Sequence, residues 1–135
     1  MSNPITVLIV DGDAHNLMTL SALLKTLDVR YKRNTTGNNV VKQALLMLPK
    51  LDAILLDLNL PDTDAFAICR ELKNEPLLAK IPVIALANEH NDDLVQRARH
   101  NGFAGFVARP FPRIQFESYL RRIIMGERIA GNGKH

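Results

Sequence analysis

At 135 residues and 47% hydrophobic, the chain is one globular domain, large enough to bury a real core and too short for two. A single cysteine, Cys69, excludes an internal disulfide, and His15, His90, His100 and His135 share no zinc-ligand spacing. The net charge of +3 says little by itself, and no apolar run approaches the ~20 residues of a membrane span, so a cytoplasmic protein is expected.

The apolar pattern switches repeatedly between two periods. ITVLIV (5–10) is a continuous apolar run and reads as a strand buried on both faces. Leu17, Leu20, Leu24 and Leu27 then mark one face of a helix. VRYKR (29–33) reads as a short strand near a sheet edge. After the turn-like NTTGNN, residues Val41, Ala44, Leu45 and Leu48 return to helical spacing. DAILLDL (52–58) is a second fully buried strand, closed by Pro61, and Phe66, Cys69 and Leu72 carry a helix up to Asn74. Core packing is the expected role of Cys69. IPVIALA (81–87) predicts another strand, followed by a short helix with Leu94, Val95 and Ala98 inward that Gly102 ends. FAGFVA (103–108) is the fifth strand, and Phe116, Tyr119, Leu120, Ile123 and Ile124 face inward from the last helix. Residues 126–135 have no periodicity and read as a disordered tail after a domain of 1–125.

Five strands alternating with five helices predict an α/β domain, a doubly wound parallel sheet with helices on both faces. In such sheets the working site lies beyond the carboxyl ends of the strands. Asp11, Asp13 and Asp57 converge there, with Arg109 arriving from the fifth strand. Clustered carboxylates repel unless a cation joins them, and an all-oxygen set with a nearby carbonyl suits Mg²⁺. Asp13, placed just before a helix, also suits an N-cap.

"VLIVDGDAHNLMTLSALL", "DAILLDLNLPDTDAFAICRELK", "IPVIALA" and "GFVARPF" resemble, in order across residues 5–124, the blocks of the receiver domain of two-component response regulators. That resemblance implies the flavodoxin-like strand order 2-1-3-4-5. It makes Asp57 the phosphoryl acceptor, with Mg²⁺ held by Asp57, the acids Asp11 and Asp13 of the first loop, and the backbone carbonyl of Asn59. Arg109 stands where the family has Lys, before a Pro110 whose peptide bond is cis in the family. It also implies a partner surface on the fourth helix, fifth strand and fifth helix around Phe106, Arg97, Arg113 and Tyr119.

Three positions depart from the family pattern. Gly12 replaces a second adjacent acid, Ala87 replaces a Ser or Thr whose hydroxyl bonds the phosphoryl group, and Arg109 is bulkier than Lys. The expected function is that of a single-domain, non-enzymatic response regulator in a phosphorelay, phosphorylated on Asp57. Its expected partners are a histidine kinase or phosphotransfer protein and a protein target in trans, with no direct nucleic-acid or membrane binding and a homodimer through the fourth helix, fifth strand and fifth helix as an option. A pseudo-receiver acting without phosphate is the alternative. A haloacid-dehalogenase-type phosphatase using Asp11 and Asp13 is more remote: it leaves Asp57 and Pro61 unexplained, and the short loops give it no cap.

Overall fold

Side-chain alternation along the strands divides the interior into two cores, and the helices follow that division. In a computed structural model, which describes residues 4–129, the strands are β1 (Thr6–Val10), β2 (Arg30–Asn34), β3 (Ala53–Asp57), β4 (Val83–Ala87) and β5 (Gly105–Ala108). They alternate with α1 (Ala14–Thr26), α2 (Val40–Met47), α3 (Ala65–Asn74), α4 (Asp92–His100) and α5 (Arg113–Ile124). The strands form one parallel sheet in the order β2-β1-β3-β4-β5, as the resemblance implied.

Leu8, Val10, Ile54 and Leu56 point to one face and pack with α2, α3 and α4 through Ala44, Cys69, Leu72 and Val95. Val7, Ile9, Leu55 and Leu86 point to the other and pack with α1 and α5 through Leu20, Leu24, Phe116 and Leu120. Every residue of β3 and β4 is buried, which is why both read as unbroken apolar runs. β2 lies at the edge, where exposed Arg30, Lys32 and Arg33 discourage pairing with another strand. Side-chain caps start three helices at the carboxyl edge: Asp13 Oδ1 accepts from Asn16 N–H at 2.9 Å, Asp64 Oδ1 from Phe66 N–H at 2.9 Å, and Asn91 Oδ1 from Leu94 N–H at 2.7 Å. Among the described residues no helix is long and apolar enough to cross a membrane.

Three details differ from the sequence reading. The inward face of α2 is centred on Val40 and Ala44, with Val41 and Leu45 at its flanks; apolar residues stand on almost every side of this short helix, so periodicity placed the face one residue off. β5 starts at Gly105, and Phe103 and Ala104 are buried ahead of it. Within the tail expected from residue 126, residues 126–128 are exposed but Ile129 is 6% exposed and donates its N–H to the Ala104 carbonyl at 3.0 Å. The rest of that expected tail, 130–135, lies outside the described residues. Ile129→Ala is expected to lower stability by about 2 kcal/mol, read from the urea midpoint. An unchanged midpoint would restore the frayed reading.

Candidate functional site

The carboxyl ends of β1, β3 and β5 bring three charged side chains into one pocket. Asp11 and Asp57 are each 2% exposed, and burying two carboxylates together is costly without a cation. Arg109 supplies one. Its Nη2 donates to Asp11 Oδ2 at 2.9 Å and to Asp57 Oδ2 at 2.6 Å, so a single nitrogen bridges both groups. Nη1 is anchored by Asn88 Oδ1 at 3.0 Å, and the guanidinium lies 5.3 Å from the centre of the Phe111 ring. The strand end is fixed by Arg109 N–H bonding the Ala87 carbonyl at 2.9 Å, and the Arg109–Pro110 bond is cis.

The remaining carboxylate oxygens serve the backbone. Asp11 Oδ1 accepts from Asp13 N–H at 2.9 Å, and Asp57 Oδ1 accepts from Asn59 N–H at 2.7 Å. Each acid therefore closes its own loop with one oxygen and meets Arg109 with the other. Burial pushes the Asp11 carboxyl up to about 7; the neighbouring Asp57 carboxylate adds to the rise, while the Asp13 N–H and Arg109 oppose it.

Asp13 does not join this pair. It is exposed, and its carboxylate caps α1. Among the described residues no three His, Cys, Asp or Glu side chains are grouped so as to hold a metal ion. Mg²⁺ demands near-octahedral oxygen ligation, whereas here the two oxygens that face each other are already bridged by a guanidinium nitrogen. As arranged, the set expected from the sequence, Asp11, Asp13, Asp57 and the Asn59 carbonyl, does not fit a divalent ion.

The expected partner surface is also rearranged. Phe106 is 6% exposed, its ring edge-on to His90 at 5.7 Å. Its N–H donates to the Tyr119 hydroxyl at 2.9 Å. Gly105 permits that approach, because a Cβ there would lie 3.0 Å from the same hydroxyl oxygen. Phe106 is thus a packing residue opposite buried Ala85, and only Arg97 and Arg113 of the four are exposed. Arg97 lies 4.3 Å over the Phe66 ring. Cys69 is buried, and burial pushes its thiol up to about 12, in keeping with a core role. Sequence reasoning missed Phe111 and the partnering of Asn88 with Arg109; the only signal was their position at strand ends beside a cation.

The model of the response regulator receiver domain matches residues 7–121. The chain belongs to that family. Among curated relatives, the transcriptional regulatory protein KdpE of Staphylococcus aureus is 30% identical over 92% of this chain, which spans half of that protein's length. The receiver domain of a sensor histidine kinase of Pseudomonas aeruginosa is 26% identical with a TM-score of 0.75, covering 92% of this chain and all of that one, and has a magnesium ion in its active-site cleft. The chemotaxis response regulator CheY4 of Vibrio cholerae shares the fold at a TM-score of 0.78 and 20% identity, over 90% of this receiver and 99% of its own chain. Receiver domains serve phosphorelay signal transduction as generally non-enzymatic modules.

Proposed function

We propose that this receiver accepts a phosphoryl group on Asp57 and signals through protein contacts. The observation that supports this most is the placement of Asp57, at the carboxyl end of a fully buried strand with a cation 2.6 Å from its outer oxygen. A carboxylate oxygen of Asp57 forms the new O–P bond while the donor's leaving group departs with the old bonding pair. Arg109 sits where charge on the phosphoryl oxygens develops. The donor would be a phosphohistidine of a kinase or phosphotransfer protein in the cytoplasm, and the output a protein target in trans. Exposed Arg97 and Arg113 on α4 and α5 are candidates for contacting that target or a second copy. Mg²⁺, which receiver domains generally bind, would have to displace Arg109 from both acids to bind here.

One observation favours a second reading, in which the fold works by contacts alone. Ala87 has no hydroxyl to bond a phosphoryl group, and Phe106 is already buried, so phosphate has fewer differences to exploit between two states. Incubation with acetyl phosphate and Mg²⁺, followed by intact-mass measurement, separates the two. Wild type is expected to gain one phosphoryl group and Asp57→Asn none; equal masses for the two proteins would favour the contact-only reading.

A further inference from the structure

The pocket's charge balance points away from a divalent metal. Two buried carboxylates carry two negative charges, and Arg109 returns one positive charge to the very oxygens that face each other. A divalent ion entering beside it would leave the pocket net positive and set two cations side by side in a poorly solvated space. Arg109 also has an advantage that no dissolved ion has: it is tethered, and Asn88 and Phe111 hold its guanidinium in place. The neighbouring positions add no further ligand. Asp13 is committed to its helix cap. An ideal Cβ at Gly12 would lie 3.2 Å from the Thr35 carbonyl oxygen and 3.3 Å from Pro61 Cδ, so even the start of a side chain is crowded there.

We infer that Arg109 is the resident counter-ion of this pocket, standing in place of a divalent metal, so that phosphoryl acceptance at Asp57 proceeds without Mg²⁺. The chemical half of this inference rests on Asp57 being the acceptor; the metal-binding half does not. Mg²⁺ and Arg109 are then competitors for the same two oxygens, Asp11 Oδ2 and Asp57 Oδ2. A cavity of about 570 Å³ bordered by His15, Thr19, Leu23, Arg109 and Phe111 adjoins the guanidinium, so the side chain has space to be displaced only at the cost of both ion pairs.

The test is a Mg²⁺ titration of wild type and Arg109→Gln, followed by backbone-amide NMR at about pH 8, where carboxylates are ionised. Wild type is expected to give no saturable shift at Asp11, Asp57 or Asn59 at millimolar Mg²⁺, and Arg109→Gln to bind about tenfold tighter or more once the competing charge is gone. Binding by wild type as tight as by the variant overturns the inference. A second measurement needs no variant: phosphoryl incorporation from acetyl phosphate into wild type is expected to reach the same extent in EDTA as in Mg²⁺, and a strict Mg²⁺ requirement overturns the inference even if Arg109→Gln does not fold. Absence of Asp57-dependent product in both conditions overturns the phosphoacceptor reading instead, and the wild-type titration then decides the metal question by itself.

Discussion

Arg109→Gln is expected to cost about 3 kcal/mol or more of stability at mildly alkaline pH, the price of leaving two buried carboxylates without their shared cation. The side chain of Arg109 is only 16% exposed and the acids 2–3%, so solvent does little to screen the pair. The neutral amide of Gln can replace at most one hydrogen bond and none of the charge. Much of the loss should return on acidification, because a proton on Asp11 removes the repulsion the cation had offset. Arg109→Lys should fall between the two, since a point charge on a narrower head cannot reach Asp11, Asp57 and Asn88 in one plane. Urea midpoints at acidic and alkaline pH, with an unchanged slope, measure all three. A loss below about 1 kcal/mol for Arg109→Gln would show that the bridge behaves as a surface ion pair.

The architecture was legible because its signals are local and redundant. β1, β3 and β4 are apolar runs ended abruptly by a polar residue, and the helices between them repeat every three to four positions, so element type followed from period alone. Convergence of Asp11, Asp57 and Arg109 followed from a topological rule about strand ends, while the position of β2 outside β1 came from the family resemblance.

The detail of the site depended on competitions that sequence does not rank. Asp13 had two available roles, ligand and cap, and a hydrogen bond three residues away along the chain prevailed over a site that would have joined two loops. Arg109 was read as standing in the place of the family's Lys, but a planar guanidinium reaches both acids at once, and that geometry depends on Asn88 and Phe111 positions that only the folded loops fix. Phe106 was placed on a partner surface by the family resemblance, yet small Ala85 across from it on β4 and the His90 ring edge-on to it make its place an interior one. Ile129 carries no period at all; it joins the core on the α3 and α4 side of the sheet and bonds the Ala104 carbonyl just ahead of β5, which no pattern announces.

Stability of the wild-type protein is expected to fall as pH rises between about 4 and 7, and Asp11→Asn is expected to remove that slope. The sign follows from burial. Asp11 titrates near 3.8 in an unfolded chain and near 7 when folded, so between those values the folded state holds a proton that the unfolded state has released. Its stabilising contribution is complete below the unfolded value and is lost as pH climbs through the folded one, after which the curve is flat. The size is about 2–4 kcal/mol across the window, the lower figure allowing for coupling to Asp57. Asn at position 11 keeps an oxygen for the Asp13 N–H and offers Asp57 an amide hydrogen in place of the shared proton. Its cost is the Arg109 contact on one side only, because the Asp57 bridge survives. Carboxylates outside this pocket titrate alike in the two proteins, so the difference between their stability curves isolates the coupled pocket around Asp11. Curves that stay parallel from about pH 4 to 8 would mean that Arg109 holds Asp11 ionised throughout, and that attraction to the cation outweighs desolvation in this pocket.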